Sequence, residues 1–206
     1  MDIRNIGIIV DGPTESGSLE KMFNKLYYKI PLIKYGPGNG LHYTEDCYAK
    51  KIAPTITVLL NRNVYSIILI PDLERREKKK KTSLSQFAKT LKECVVAEVL
   101  KSGQFSEDYL NDVIRVCPSN IMFENWIVAD VEGIKASKLI NDDAEQDYYD
   151  GRNGASLLND MMVDDLSYKK TRDAQNLFKY VDSERGKGFS PSFNEFMRVF
   201  NELLNK

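Results

Sequence analysis

The sequence has few of the residues that commonly build nucleophilic and zinc sites. It contains one histidine, His42, and three widely spaced cysteines, Cys47, Cys94 and Cys117, that form no CxxC pair. A Ser/His/Asp or Cys/His site needs a histidine beside its nucleophile, so a single histidine gives such a site little support. Zinc sites of the histidine–cysteine type are equally unsupported. An odd number of distant cysteines also argues against a disulfide framework and fits a reducing cytosol better.

Long apolar runs and a strong net charge are also missing. No run approaches the roughly 20 apolar residues that span a bilayer, and the first residues, MDIRNIG, lack the apolar core of a signal peptide. These features predict a cytoplasmic protein without membrane association. The 206 residues have a formal net charge of −1, so nucleic-acid binding would require a local basic patch.

The patterns that are present alternate between strand and helix. Apolar runs at Ile6–Val10 and at residues 64–70 are typical of strands buried on both faces. Shorter strands are predicted at 30–33, on a sheet edge because of Pro31, and at 112–117. Helices are predicted after the first strand, with Ser16 or Ser18 as its cap, and at 44–61, where Pro54 kinks or splits the helix. This alternation predicts an α/β fold with a mostly parallel sheet of about four strands flanked by helices.

The composition changes after residue 135. Residues 141–165 carry eight acidic residues against Arg152 alone, which suggests a surface insertion. A last helix is predicted to begin at Pro191 with Ser190 as its cap. We therefore expect an α/β core at 1–135 and, at 136–206, an acidic insertion and a mainly helical C-terminal extension packed on that core.

Carboxylates follow the predicted central strands. Glu15 lies in the turn after the first strand, and Asp72 and Glu74 come directly after the apolar run at 64–70. These carboxylates point either to a ligand site or to a polar turn that merely solvates the strand ends, and we favour the ligand site. In open α/β sheets, ligands bind at the carboxyl ends of the strands.

A predicted helix at 121–131 is apolar almost all round, which is typical of a buried helix. Glu124 and Asp130 are out of place in it unless they are paired, hydrogen-bonded or metal-bound. Trp126, in the same segment, is expected to pack in the core rather than to stack on a base.

The four carboxylates Glu15, Asp72, Glu74 and Glu124 converge on one rim if their strands are neighbours. Two like charges 4 Å apart repel by about 4 kcal/mol at an effective dielectric constant of 20. A protonated carboxyl group or a bound divalent cation relieves this repulsion. Ligands that are all oxygen favour Mg²⁺ or Mn²⁺, and phosphoryl transfer is the chemistry that uses such a site.

Basic residues flank these carboxylates in the sequence. The run after Glu74 includes Arg75, Arg76, Lys78 and Lys79, and it is interpreted either as an exposed loop or as a guide for a phosphate backbone. A later group contains Lys169, Lys170 and Arg172, any of which could neutralise charge that develops on a scissile phosphate.

The motifs at these positions resemble the Toprim domain, found in topoisomerases, bacterial primases, ribosomal-RNA maturases and overcoming-lysogenisation-defect nucleases. The resemblance rests on the turn at 12–15 and on the pair Asp72 and Glu74, although the family usually has aspartate at the second position of the pair. The segment FENWIVAD at 123–130 is similar to the E-x-W-x-x-A-D motif of small bacterial Toprim-like proteins. The segments YKKT at 168–171 and SPSF at 190–193 are similar to the C-terminal part of that family.

The resemblance implies a nuclease that uses Mg²⁺ or Mn²⁺ on DNA or RNA, with an association with phage defence. Glu15, Asp72 and Glu74 would bind the cation, Glu124 would help a second one, and Lys170 would act at the phosphate. The alternative is a non-catalytic sensor or partner subunit in a defence or nucleic-acid-processing complex, beside a protein such as an ATPase; homo-oligomerisation is left open. A P-loop is disfavoured because the segment at 12–18 lacks the lysine.

Overall fold

The fold is built on one parallel sheet. The computed structural model describes residues 2–37, 44–73 and 82–206. Four strands, β1 (Ile6–Val10), β2 (Leu32–Tyr35), β3 (Ser66–Ile70) and β4 (Ile114–Val116), lie in the order β2-β1-β3-β4. Each pairs in parallel with its neighbours. The predicted α/β class with a four-stranded parallel sheet is therefore confirmed.

Helices connect the strands and form the C-terminal part. They are α1 (Pro13–Tyr27), α2 (Glu45–Leu60), α3 (Leu84–Leu100), α4 (Glu107–Val113), α5 (Glu124–Val128), α6 (Val131–Ile134), α7 (Gly154–Met161), α8 (Lys170–Phe178), α9 (Ser183–Phe189) and α10 (Pro191–Leu204). Among the described residues, no helix combines the length and the apolar character that crossing a membrane requires.

Helix starts follow the capping residues in most places. Ser190 caps α10 by accepting the Phe193 N–H group, with Pro191 at the first helical position, as predicted. The prediction for α1 was wrong, because this helix begins at Pro13, with Gly12 as its N-cap. The Ser18 hydroxyl donates to the Thr14 carbonyl inside the helix at 2.8 Å and therefore does not cap it. Proline at the first helical position is favourable because its missing N–H group has no partner there.

Two buried clusters fill the two sides of the sheet. On one side, α2, α3 and α4 pack against Ile9, Ile67 and Leu69. On the other side, α1 and the helices of the C-terminal part pack against Ile8 and Ile68 in one continuous cluster. Trp126 belongs to this second cluster, where its ring stacks on Phe196 and its Nε1 donates to Ser192, so the predicted core role is confirmed.

The single helix predicted at 121–131 was wrong. Two short helices, α5 and α6, occupy this region, and Asp130 separates them as the N-cap of α6. Asp130 is 1% exposed and accepts the N–H groups of Gly133 and Asp182 together with a two-point hydrogen bond from Arg185 at 2.8 and 3.0 Å. The expectation that this buried carboxylate is paired is confirmed.

The acidic segment at 141–165 packs against the rest of the chain. Ile140 bridges Met162, and Leu158 of α7 is fully buried. Asp150 accepts hydrogen bonds from Asn120, Ser190 and Ser192, which ties the segment to the start of α10. The segment is thus a packed part of the C-terminal layer.

Candidate functional site

The candidate site lies where the chain leaves β1 and β3, two neighbours in the middle of the sheet. From β1 the chain continues through α1 to β2 on one side, whereas from β3 it continues to β4 on the other. The carboxyl ends of two such strands border a crevice in which open α/β proteins bind ligands. Asp11 follows β1 and Asp72 follows β3, so both carboxylates lie at this position.

Asp11 joins the ends of the two central strands. One of its carboxylate oxygens accepts the Tyr48 hydroxyl at 2.6 Å, and the other accepts the backbone N–H group of Asp72 at 3.1 Å. The side chain is buried. Asp11 therefore fixes the position of the Asp72 backbone through α2 and β1 together.

Asp72 is a buried carboxylate whose pKa is raised well above its ordinary value. Burial is the largest cause, the charges of Asp11 and Glu15 add to it, and the charge of Lys170 opposes it. The Ser119 hydroxyl, which lies just beyond β4, donates to Asp72 Oδ1 at 2.5 Å. The folded protein therefore holds the Asp72 proton more tightly than an exposed aspartate would.

Glu15 lies in the first turn of α1, where the partial positive charge of a helix N-terminus favours a carboxylate. Its side chain is 5% exposed, and its Oε1 lies 2.5 Å from Lys170 Nζ. Gly12 leaves room for the other oxygen, since a Cβ atom at this position would lie 2.9 Å from Glu15 Oε2.

Glu124 and Lys170 come from the C-terminal layer. Glu124 begins α5, and its Oε1 lies 3.6 Å from Lys170 Nζ and accepts the Tyr168 hydroxyl at 3.2 Å. Burial alone would lower the pKa of Lys170, but the charges of Asp72, Glu124 and Glu15 outweigh it, and the pKa lies above its ordinary value. The lysine is therefore an ammonium ion at neutral pH.

Burial and the charge of Glu124 raise the pKa of Tyr168 far above its usual range. The phenol consequently stays protonated and serves Glu124 as a hydrogen-bond donor.

These groups border an open cleft of about 370 Å³. It is lined by Asp72, Met122, Glu124, Ala155, Tyr168 and Lys170. The lining joins the end of β3 to the C-terminal layer, so the two parts of the chain build the cleft together. Such a cleft presents carboxylates, one ammonium and one phenol to a ligand.

The structure brings together Glu15, Asp72, Glu124 and Lys170 among the residues predicted for the site. Glu74 and the four basic residues that follow it, Arg75, Arg76, Lys78 and Lys79, lie outside the described residues.

The two other basic residues predicted to bind nucleic acid lie at the start of α8. Lys169 is exposed. Arg172 binds the buried carboxylate of Asp173 with Nε at 2.5 Å and a terminal nitrogen at 2.7 Å, and it also donates to the Ser167 carbonyl. In this structure Arg172 holds the start of α8, which carries Lys170.

Sequence reasoning missed four polar residues of the site: Asp11, Tyr48, Ser119 and Tyr168. Asp11 carried a usable signal, since it directly follows β1 in the way that Asp72 follows β3. Tyr168 lies in the YKKT segment, but nothing there indicated its partner. Tyr48 and Ser119 carried no signal, because they reach the carboxylates through tertiary packing.

The carboxylates of the cleft are oxygen donors, the kind of ligand that Mg²⁺ and Mn²⁺ prefer. Among residues 2–37, 44–73 and 82–206, no three histidine, cysteine or acidic side chains are grouped closely enough to hold a metal ion. Lys170 Nζ instead lies close to both Glu15 and Glu124.

Comparisons with known proteins give no family for this chain. No family model and no curated protein matches the sequence, and no solved structure matches the chain. The resemblance to Toprim proteins therefore stays an expectation from the motifs, and the function has to be argued from the site itself.

Proposed function

We propose that this protein hydrolyses phosphodiester bonds of DNA or RNA in the cytoplasm with the help of Mg²⁺ or Mn²⁺. One observation carries the proposal: three carboxylates and an ammonium from four different elements meet at the carboxyl ends of the central strands. Glu15 comes from α1, Asp72 follows β3, Glu124 begins α5 and Lys170 begins α8. A purely structural ion pair does not require this many buried charges around an open cleft.

Lys170 is the group suited to the phosphate. Its pKa keeps it charged, and its side chain is 39% exposed at the cleft. An ammonium in a partly desolvated position stabilises negative charge on a scissile phosphate more strongly than it would in water. Tyr168 and Ser119 hold Glu124 and Asp72 in place by donating hydrogen bonds to them.

Glu15, Asp72 and Glu124 are not grouped closely enough to hold a metal ion by themselves. They would hold the cation together with Glu74, which is predicted from the sequence. When bound, the cation would act as a Lewis acid that polarises the phosphate and lowers the pKa of a water molecule bound to it. The Asp11 carboxylate positions Asp72 by accepting the backbone N–H group of Asp72.

The resemblance to overcoming-lysogenisation-defect nucleases supports a role in phage defence, beside a partner such as an ATPase and with homo-oligomerisation left open. A shared fold alone does not establish a shared function, so this biological role rests only on the motifs.

Incubation of the purified protein with Mg²⁺ or Mn²⁺ and single- and double-stranded DNA and RNA tests the activity. We expect cleavage that EDTA abolishes and that Glu15→Gln, Asp72→Asn and Lys170→Met each reduce at least a hundredfold. Asp160→Asn serves as the matched control, since Asp160 is an exposed carboxylate on α7. Full activity of the Glu15 or Asp72 variant contradicts the proposal.

The position of Lys170 favours a second candidate, a non-catalytic sensor or partner subunit. The ammonium already offsets one of the two negative charges of Glu15 and Glu124, so these carboxylates depend less on a metal for charge balance. Calorimetry with Mn²⁺ distinguishes the candidates. A nuclease binds Mn²⁺ through Glu15 and Asp72, whereas a sensor subunit shows no Mn²⁺ binding and forms a stable complex in a pull-down.

A further inference from the structure

A basic surface with exposed aromatic rings lies along the edge strand β2. Residues 21–44 contain four lysines and no acidic residue. Among the described large hydrophobic side chains, Tyr28 and Tyr35 are the two most exposed, at 88% and 61%. The two tyrosines bracket the edge strand, Tyr28 before its start and Tyr35 at its end.

Neither packing nor backbone preference explains Tyr28. It ends α1 with φ at 53°, in the left-handed region, where glycine is the residue that helices usually employ. A side chain with a Cβ atom is disfavoured in this conformation. The ring is almost fully exposed, so no buried contact compensates for the backbone. The ring is therefore free to stack on a ligand.

Cations accompany the tyrosines. Lys34 and Arg62 line one groove between β2 and α2, of about 350 Å³, together with Val58. Lys29 follows Tyr28 directly and is exposed. Within the described part of the chain, Lys29, Lys34 and Arg62 form no ion pair. Their charge is therefore available to an anionic partner.

The basic side chains and the exposed tyrosine rings together indicate which class of ligand this surface binds. Single-stranded nucleic acid combines a phosphate backbone, which lysine and arginine bind, with bases that stack on aromatic rings. A second copy of this chain fits less well. The strand has only four residues, it contains Lys34, and Pro31 directly precedes it. Such features prevent edge-to-edge pairing in natural sheets, and pairing would bring like charges together.

We propose that the β2 edge, with Tyr28, Lys29, Lys34, Tyr35 and Arg62, binds a single nucleic-acid strand and leads it to the cleft. Tyr35 pairs with Val10, and the next residue along the chain from Val10 is Asp11 of the candidate site. The end of the β2 edge thus lies beside the strand end from which the site begins. This inference deepens the proposed function, because it assigns single-stranded nucleic acid as the substrate class.

Fluorescence anisotropy with labelled oligothymidylate and oligouridylate tests the inference on the intact protein in EDTA, so that binding is measured without cleavage. Replacing both Tyr28 and Tyr35 with alanine should weaken binding about a hundredfold, since base stacking contributes about tenfold per ring. Replacing both with phenylalanine should preserve it. Tyr148→Ala is the matched control, because Tyr148 is half exposed on the acidic segment.

The salt dependence tests the cations. The logarithm of the binding constant falls as the logarithm of the salt concentration rises. Replacing both Lys34 and Arg62 with glutamate should make this negative slope shallower by about 1.4, since each lost phosphate contact on a single strand removes about 0.7. Lys34→Arg should keep the slope of the wild type.

Unchanged affinity of the double alanine variant overturns the inference. It is also overturned if size-exclusion chromatography shows a wild-type dimer that the same variant converts to a monomer. Binding in EDTA with no cleavage in Mn²⁺ upholds the inference and refutes the proposed function, so the two failures are distinguishable.

Discussion

The positive charge of Lys170 reduces the repulsion between the carboxylates of the cleft. Its ammonium lies 2.5 Å from Glu15 and 3.6 Å from Glu124, whose side chains are 5% and 3% exposed. Burying charged groups is costly unless each is paired, and removing one partner leaves the others without compensation. At the scale of the residue, this one side chain therefore influences both the stability of the fold and the affinity for any cation.

Replacing Lys170 with methionine should lower the free energy of unfolding by about 2 kcal/mol at neutral pH. This figure lies below the 3 to 5 kcal/mol typical of a fully buried pair because Lys170 is partly exposed. Mn²⁺ should raise the melting temperature of the variant more than that of the wild type, since the cation replaces the lost charge. Urea unfolding and thermal shift assays measure the two effects.

Lys89→Met is the control for this prediction, because Lys89 pairs with Glu93 on α3 and both side chains are exposed, at 71% and 64%. Surface pairs contribute little, about 0 to 1 kcal/mol. Equal losses in both variants would show that the Lys170 pairs are ordinary surface contacts.

Asp72 should make the protein less stable as the pH rises. Its pKa is higher in the folded state than the ordinary value near 3.8. The folded state therefore binds the proton more tightly, and this stabilisation is present below about pH 4 and is lost as the pH rises through the folded pKa. Asp72→Asn, which cannot ionise, should therefore exceed the wild type in stability at pH 7.5.

Urea unfolding in EDTA at about pH 4 and pH 7.5 measures this difference without interference from divalent cations. The advantage of Asp72→Asn should shrink at the lower pH, while the exposed-site variant Asp160→Asn should show no such trend. An advantage of the same size at both pH values would mean that the carboxyl charge of Asp72 is not its cause.

At the scale of the element, close contact between α7 and α5 holds the wall of the cleft. A Cβ atom on Gly154, the first residue of α7, would lie 2.6 Å from Asn125 Oδ1 and 2.7 Å from Asn125 N. These atoms follow Glu124 in α5, and backbone atoms have little freedom to move away. Only glycine lets the two helix starts approach this closely.

Gly154→Ala should therefore destabilise the protein by about 1 to 3 kcal/mol, the usual cost of overpacking, and should reduce the proposed nuclease activity by shifting Glu124. Gly188→Ala in α9 is the matched control, because a Cβ atom on Gly188 would meet no neighbouring atom within 4 Å. In a helix that change should stabilise by about 0.5 to 1 kcal/mol. Urea unfolding measures the free energy of unfolding of both variants. An unchanged free energy for Gly154→Ala would show that α7 and α5 can move apart to accommodate the added methyl group.

Elements with strong periodic patterns were predictable from the sequence. The buried strands β1 and β3 and the helix α10 followed from apolar runs and from the Ser190–Pro191 start. The interruption between α5 and α6 at Asp130 was not predictable from the sequence. It depends on the pairing of the Asp130 side chain with Arg185, which is distant in the sequence. In the site, the carboxylates after the strands were predictable, whereas the placement of Lys170 between Glu15 and Glu124 depends on how α8 packs on α1 and α5.

At the scale of the whole molecule, the C-terminal helices complete the core on one side of the sheet. The ring centroids of Phe23 in α1 and Phe200 in α10 are 4.6 Å apart, and both side chains are fully buried. Residues before and after the expected boundary at 135 share one buried cluster. Removing the later residues would expose an apolar sheet face and one side of α1 to water.

A fragment of residues 1–135 should consequently lack a cooperative unfolding transition and should bind a hydrophobic dye, whereas the full chain should unfold in a single transition. Near-ultraviolet circular dichroism and urea titration measure both. A fragment that unfolds cooperatively would show that the α/β part is an independent domain.

The ion pair between Glu15 and Lys170 also has a consequence for protein synthesis. Glu15 emerges from the ribosome early, whereas Lys170 and the α8 helix that carries it emerge late. A nascent or prematurely terminated chain therefore has the carboxylates of the first strands without the ammonium that completes the site. If the protein cuts nucleic acid, unfinished copies would be harmless to the cell that makes them.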